Sequence, residues 1–157
     1  MSKRSISIIG CGWLGWPLAK DLVADGWRVK GSTTTSEKLD QLEKDGIQPF
    51  LFDATESPIS PSLSALFQSD TLFINIPPGR KRADVEDRYP SEIQRILDRA
   101  LAEGVKQLLF ISSTSVYPNN GIEVDEQTQP QPSTASGRAL MKCEELVRSL
   151  PDIQWLI

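Results

Sequence analysis

Residues 5–22, SISIIGCGWLGWPLAKDL, decide the fold. The run at residues 5–9 predicts a short buried strand, and glycines at 10, 12 and 15 follow it directly. From residue 14 to residue 25, leucines at 14, 18 and 22 share one helical face, and Gly26 ends that pattern. The stretch therefore predicts a strand, a glycine turn and a helix in immediate succession.

The remaining sequence repeats this alternation of short apolar runs and helical patterns. We predict further strands at residues 27–30, 47–52, 71–76, 105–111 and 153–157, and helices at 36–45, 88–103 and 134–149. Residues 55–64 predict a loop followed by one helical turn. Strands that alternate with helices predict an α/β fold, a doubly wound parallel sheet in the order 3-2-1-4-5-6 with helices on both faces. We expect one Rossmann domain over residues 1–157.

Composition excludes several classes of function. The chain has 157 residues, a net charge of −4, two cysteines and no histidine. Without histidine, Ser-His-Asp and Cys-His catalysis and His-ligated metal sites are excluded within this chain, and we expect no metal. The charge predicts no general attraction for nucleic acid or an anionic membrane. No apolar run is long enough for a membrane span, and the first residues do not form a signal peptide, so we expect a cytoplasmic protein.

The glycine spacing in this setting predicts a dinucleotide site. Gly10 permits the tight turn, Gly12 lets backbone approach a pyrophosphate, and Gly15 lets the helix pack close to the sheet. The amino end of the helix adds free N–H groups and a partial positive charge. We assign Trp13 and Leu14, within the turn, to cofactor contact as well; the alternative for Trp13 is packing against the last helix or a second subunit. The alternative is a glycine-rich turn without a ligand.

The end of the second predicted strand bears on the choice of cofactor. NAD enzymes place a carboxylate there to hold the ribose 2′-hydroxyl, whereas this chain has Ser32 and Thr33 and no carboxylate before Glu37. These hydroxyls, with Lys30 or Lys38 nearby, are compatible with a 2′-phosphate. We therefore predict NADP in preference to NAD. The alternative is that the serine and threonine residues turn the chain and cap the next helix.

Three further positions follow the third and fourth predicted strands. Asp53 is placed to accept a hydrogen bond from an adenine amino group, although an aspartate at a strand end also commonly forms a turn. Ile76 and Pro77 are assigned to cofactor contact because strand ends face the ligand crevice in this fold. The basic run at residues 80–82 fits either a solvated loop or a loop that attracts phosphate groups.

Residues 110–118, FISSTSVYP, resemble the segment that carries the catalytic serine or threonine in extended short-chain dehydrogenases, the NAD-dependent epimerase/dehydratase family. The resemblance covers residues 6–157 and places the catalytic hydroxyl on Ser113, four residues before Tyr117. It implies reversible hydride transfer on a sugar-nucleotide-like substrate. The alternative for Ser113 is a polar strand end that hydrogen-bonds to backbone.

The catalytic Tyr-x-x-x-Lys pair of that family is missing. Gly137 and Glu144 fit the family register, which puts Ser136 where tyrosine is usual and Leu140 where lysine is usual. A serine hydroxyl is far less acidic than a phenol, and leucine neither lowers a pKa nor holds the nicotinamide ribose. With its GWLG, SSTSVY and SGR stretches, the chain resembles an atypical subgroup of bacterial epimerase-like proteins.

Two other interpretations remain open from the sequence. Loss of the catalytic pair favours a cofactor-binding regulator or scaffold without turnover, although Arg138 and Lys142 are cations close to the missing lysine. The stretch GCGWLGWPLAKDL by itself also resembles 6-phosphogluconate-type and prephenate-type dehydrogenases. Those proteins lack the SSTSVY stretch and depend on a helical second domain.

The carboxyl-terminal residues lie within a predicted strand. The resemblance implies a C-terminal substrate lobe that is absent from this chain. A last strand with an unpaired edge and apolar residues such as Trp155 and Leu156 predicts self-association, so we expect a homo-oligomer.

Overall fold

The computed structural model describes residues 4–79 and 83–157. Its six parallel strands form one sheet in the order β3-β2-β1-β4-β5-β6, which confirms the predicted fold and strand order. The strands are β1 (Ser5–Ile9), β2 (Arg28–Thr33), β3 (Gln48–Leu51), β4 (Thr71–Ile74), β5 (Gln107–Phe110) and β6 (Gln154–Leu156). The helices are α1 (Gly15–Ala24), α2 (Leu39–Lys44), α3 (Ser64–Phe67), α4 (Val85–Ala102) and α5 (Ala135–Arg148).

Two hydrophobic clusters cover the two faces of the sheet. Along β4 the side chains alternate, so Leu72 and Ile74 pack on one face and Phe73 packs on the other. The first face is covered by α4 and α5, and the second by α1 and α2. Within the described residues, no helix is both long and apolar enough to cross a bilayer.

Strand β2 extends three residues beyond the predicted end at residue 30, through Thr33. Gly31 lies beyond the predicted end of the strand, yet it pairs with Pro49 inside the ladder. A Cβ atom at Gly31 would lie 2.5 Å from Cys11 Sγ, so glycine serves here for close packing of the strand against the turn after β1.

The helix predicted at residues 36–45 is shorter in the structure. Ser36–Lys38 forms a 3₁₀ turn, and α2 begins only at Leu39. The Ser36 hydroxyl donates to Glu37 rather than capping a helix. On the other side of the sheet, α4 begins at Val85, three residues before the predicted start, where Glu86 and Asp87 favour the positive end of a helix dipole.

Because all six strands run in one direction, the loops that follow them meet at one edge of the sheet. The turn after β1 therefore lies beside the segments that follow β2, β3 and β4. The strand order reverses between β1 and β4, and ligands of open α/β sheets bind at such a point.

Candidate cofactor site

A crevice of about 420 Å³ lies at this edge of the sheet. Its walls are residues 10–12, residues 32–35 with Lys38, residues 52–55, residues 75–79, and Arg88 and Glu92 of α4. The glycine turn thus forms the centre of the crevice, with the β2 and β3 ends on one side and the β4 end on the other.

The three glycines of the turn have different roles. Gly10 has a φ of +101°, and a Cβ atom there would lie 2.5 Å from the carbonyl oxygen of Asn75. A Cβ atom at Gly15 would lie 2.3 Å from the Gly10 oxygen. At Gly12 a Cβ atom would meet nothing within 4 Å, although this residue lines the crevice. Gly10 and Gly15 are therefore required by the turn itself, and Gly12 keeps the crevice open to a ligand.

Hydrogen bonds fix the turn against its neighbouring strands. The amide of Gly10 donates to Ser32 Oγ at 3.0 Å, and the amide of Cys11 donates to the Ser32 carbonyl oxygen at 2.7 Å. Asn75 Nδ2 donates to the Gly10 oxygen at 3.3 Å. Sequence reasoning missed Asn75, since nothing in the local pattern marks the residue after β4 as a partner of the first turn.

The amino end of α1 presents unused donors. Trp16 N donates to the Gly12 oxygen at 3.0 Å, the first helical hydrogen bond of this region. The N–H groups of residues 12–15 donate to no atom of residues 4–79 or 83–157. Leu14 is the N-cap residue, and its apolar side chain makes no capping hydrogen bond. Its backbone N–H is therefore the donor that Leu14 can present to a ligand. Free amides at a helix amino end bind phosphate groups.

The tryptophan of the turn faces outward. Trp13 is 90% exposed. A second cavity of about 660 Å³ adjoins the crevice, is lined by Trp13 and Trp16, and shares Gly12 and Lys38 with it. The indole of Trp16 donates to Asp45 at 2.8 Å, which ties α1 to the end of α2. Trp13 therefore lines the adjoining cavity, and neither Trp13 nor Leu14 is part of the crevice wall.

The hydroxyls at the end of β2 serve the local fold. Ser32 is 2% exposed and accepts the hydrogen bond from Gly10, and Thr33 Oγ1 accepts from the amide of Thr35 at 3.1 Å. Both residues line the crevice together with Thr34 and Lys38. The side chains with free access to a bound ligand at this end are therefore those of residues 34, 35 and 38.

Lys30 is excluded as a phosphate ligand. Its Nζ donates to the carbonyl oxygens of Ala65 and Gln68, each at 2.6 Å, and so holds the carboxyl end of α3. Burial, together with the charge of Arg28, lowers the pKa of Lys30. Of the two lysines named from the sequence, Lys38 is the one that lines the crevice.

The remaining predicted contacts also lie in the crevice wall. Asp53 Oδ1 accepts from Thr55 N at 2.8 Å and from Thr55 Oγ1 at 2.7 Å, so this carboxylate forms a turn while it faces the crevice. Ile76 and Pro77 line the crevice, and Tyr89 Oη donates to the Ile76 oxygen at 2.7 Å. The basic run at residues 80–82 lies outside the described residues.

Arg88 and Glu92 were not predicted as site residues. They are four residues apart on α4, and Arg88 Nη1 donates to Glu92 Oε1. Arg88 Nη2 also donates to the Pro78 oxygen at 2.9 Å. Burial acts to lower the pKa of Arg88, but the hydrogen bond and charge of Glu92, with the charge of Asp84, leave it raised. The i,i+4 spacing was visible in the sequence, but its position in the crevice was not.

The Ser113 segment lies beyond the crevice wall. Ser113 is exposed, caps the 3₁₀ turn Thr114–Val116, and accepts from Ser115 N at 3.2 Å. Its neighbour Ser112 donates to Glu144 Oε1 at 2.6 Å. Glu144 is buried and also pairs with Arg148 at 3.0 Å, so α5 holds the base of this segment.

The two positions of the missing catalytic pair differ in environment. Ser136 is half-buried in the first turn of α5, with its hydroxyl 3.3 Å from Thr134 Oγ1. Leu140 is 4% exposed and packs in the core beneath α4 and α5. The nearby cations are paired with α4, since Arg138 Nε lies 2.9 Å from Glu86 Oε2 and Lys142 Nζ lies 3.8 Å from Glu86 Oε1. Neither position forms an acid–base pair.

The chain has a longer curated relative in Escherichia coli (strain K12), described as "Protein YeeZ". The two are 37% identical over 150 residues, which is 94% of this chain and 54% of the relative. The chain thus spans about half the length of the curated relatives that it matches.

Solved structures with the same fold include dehydrogenases and epimerases. A short-chain dehydrogenase/reductase superfamily protein from Agrobacterium tumefaciens with bound NAD superposes with a TM-score of 0.80 at 22% identity, over 98% of this chain and 48% of that one. The UDP-Glc/GlcNAc 4-epimerase from Campylobacter jejuni gives a TM-score of 0.81 at 17% identity, over 97% and 51%. At such identities the likeness establishes the fold.

The family match comes from the sequence. Residues 5–132 match the model described as the NAD binding domain of 6-phosphogluconate dehydrogenase. The matched region runs from β1 through the glycine turn and the crevice to the loop before α5. The chain therefore belongs to this family of NAD-binding Rossmann domains.

Proposed function

We propose that the crevice binds a nicotinamide dinucleotide with its diphosphate at the amino end of α1. The observation that carries this proposal is the contrast between the glycines: Gly12 has open space where a side chain would be, beside four unused backbone amides. A cradle with this shape and these donors suits two phosphate groups. The adenosine half then lies toward Thr34 and Asp53, and the nicotinamide half lies toward residues 75–79.

NADP(H) is the preferred cofactor in this proposal. The end of β2 carries no carboxylate that would repel a 2′-phosphate, and Lys38 lines both the crevice and the adjoining cavity. In residues 4–79 and 83–157, no ion pair is formed by Lys38, so its charge is available to an anion. A 2′-phosphate near Lys38 would gain a charge-assisted hydrogen bond.

The chain would supply the cofactor-binding half of a protein that transfers hydride to or from a sugar-nucleotide-like substrate. The neighbours in fold support this substrate class, since one of them, MoeE5, was solved in complex with UDP-glucose and NAD. Ser113, at the carboxyl end of β5, would bind the reacting oxygen, because the ends of these parallel strands face the ligand edge. The substrate lobe would come from sequence outside these 157 residues.

A second candidate is a cofactor-binding protein without turnover. Leu140 favours it, because the position that is usually lysine is here an apolar side chain sealed in the core. The hydroxyl of Ser136 is far less acidic than a phenol, and Arg138 and Lys142 are both engaged by Glu86 of α4.

Binding to the 157-residue chain tests the proposal shared by both candidates. Gly12→Val should abolish NADPH binding in calorimetry, since its side chain would occupy the space of the diphosphate, while a Cβ there meets no protein atom within 4 Å. Ala102→Val, at the exposed carboxyl end of α4, adds the same branched bulk away from the crevice and should bind like the wild type. Equal NADPH affinity in the wild type and in Gly12→Val would refute the proposal.

A further inference from the structure

Helix α4 carries one arginine that differs from two others on the same helix in what it binds. Arg88 pairs with Glu92 and Arg99 pairs with Glu103, in each case four residues further along the helix. The residue four positions beyond Arg95 is itself an arginine, and in the described part of the chain Arg95 forms no ion pair. Its guanidinium group is directed at a different segment of the chain.

That segment is the loop after β3. Arg95 Nη2 donates to the Ala54 oxygen at 2.9 Å across 41 residues of sequence, and Nη1 donates to Ser91 Oγ at 3.0 Å. Ala54 lies in the wall of the crevice. A hydrogen bond from a guanidinium group to a carbonyl oxygen is charge-assisted and stronger than a neutral one. Helix α4 therefore holds this part of the wall from behind.

The bond from Arg95 is the hydrogen bond that ties residues 53–60 to the rest of the fold. The other hydrogen bonds that these residues make in the described part of the chain all end within residues 53–63. Their remaining contact with the core is apolar, through Ala54 and Ile59. Without Arg95 the loop would keep its internal turn and lose its polar connection to α4.

The helix that provides this connection is a rigid support. Its residues Ile93 and Ile96 are fully buried in the core. The same helix also holds the segment after β4, because Tyr89 Oη donates to the Ile76 oxygen. Side chains of α4 thus fix the segments after β3 and after β4 relative to each other, and binding sites held by rigid elements keep their geometry more precisely than free loops do.

We propose that Arg95 is a positioning residue that holds residues 53–55 in the arrangement that receives the adenosine of the cofactor. The inference rests on the proposed binding of a dinucleotide, in which the adenosine half lies toward Thr34 and Asp53. Arg95 does not line the crevice and acts through the Ala54 carbonyl. A wall that is fixed before binding spares the ligand the cost of ordering it, so the bond raises affinity by preorganisation.

Titration of the 157-residue chain with ADP and with inorganic pyrophosphate separates the adenosine wall from the diphosphate site at α1. The wild type should bind ADP more tightly than pyrophosphate. Arg95→Met keeps an unbranched apolar stem and removes the donors, so it should weaken ADP binding about five- to tenfold and leave the pyrophosphate affinity unchanged. Arg99→Met is the matched control, because Arg99 pairs with Glu103 outside the crevice, and it should bind both ligands like the wild type.

The unchanged pyrophosphate affinity reports that the Arg95→Met variant is folded. Should that variant fail to fold, Arg95→Lys keeps the charge but replaces the planar fork of donors by one ammonium group, and it should still weaken ADP relative to pyrophosphate. The same ratio of ADP to pyrophosphate affinity in the wild type and in a folded variant would show a merely structural role and overturn the inference. Equal affinity of the wild type for the two ligands would also overturn it, while the diphosphate site stands. A wild type that binds neither ligand, nor NADPH, would instead refute the proposed function.

Discussion

Leu140→Lys restores the residue type that the epimerase resemblance expects, and the structure predicts that it destabilises the chain. Leu140 is 4% exposed within the cluster formed by α4, α5 and the sheet. Loss of a buried leucine side chain costs about 1.5–3 kcal/mol in transfer free energy. The lysine must in addition bury its ammonium group or give up its proton. We expect the free energy of unfolding to fall by at least about 3 kcal/mol.

Urea unfolding followed by circular dichroism measures this loss. For a chain of this size, about 3 kcal/mol corresponds to a fall in Tm of roughly 6–12 °C. Leu140→Met conserves the volume and should cost less than about 1.5 kcal/mol.

The deficit of Leu140→Lys should also depend on pH. Burial lowers the pKa of a lysine in the folded state, so the unfolded state binds more protons and stability rises as the pH increases toward about 10.4. Equal stability of Leu140→Lys and Leu140→Met at neutral pH would refute the reasoning. It would mean that position 140 opens to the crevice, as a catalytic lysine would.

Three other predictions concern cofactor choice, association and turnover. NADPH should bind at least as tightly as NADH, and Lys38→Ala should weaken NADPH about tenfold (about 1.4 kcal/mol) without affecting NADH, whereas Lys44→Ala on exposed α2 surface should change neither. A wild type that binds NADH tenfold more tightly would contradict this. Light scattering should show a concentration-dependent mass that falls in Leu156→Lys, because Leu156 on edge strand β6 is 64% exposed; a monomeric mass at every concentration would contradict the expected self-association. The chain should oxidise no NADPH with UDP-sugars, and robust turnover would assign the proton transfer to another residue, with Arg138 and Lys142 the first to be substituted.

The architecture was predictable because it depends on local patterns. Alternating apolar runs and helical periods fixed the order of elements, and right-handed crossovers then fixed the sheet order that the structure shows. The end of β2 was not predictable in this way. A glycine within a strand weakens the strand pattern in the sequence, so Gly31 favours an early strand end. The strand continues through Gly31 because this residue packs closely against Cys11 Sγ, twenty residues earlier in the chain.

The site was predictable in its centre and less so in its walls. The glycine turn carries its own spacing, and Gly10 and Gly15 have the close approaches that the spacing implies. Lys30 and Lys38 are both close to the β2 end in the sequence and seemed equivalent there. In the structure Lys30 lies within β2, and its ammonium group donates to carbonyl oxygens at the end of α3 instead. Asn75 and Glu92 enter the site through the loop and helix after β4, and tertiary proximity of this kind leaves no local signal.

Amide chemical-shift mapping on the ¹⁵N-labelled chain during titration with NADPH tests the central claim most directly. The account predicts saturable shifts concentrated on the amides of residues 12–15, with further shifts at the amides of residues 34, 38, 75, 76 and 79, which line the crevice or adjoin its glycine turn. The same titration of Gly12→Val should leave those amides unmoved while the rest of its spectrum matches the wild type. Shifts that cluster away from the glycine turn, or an identical response in Gly12→Val, would contradict the account.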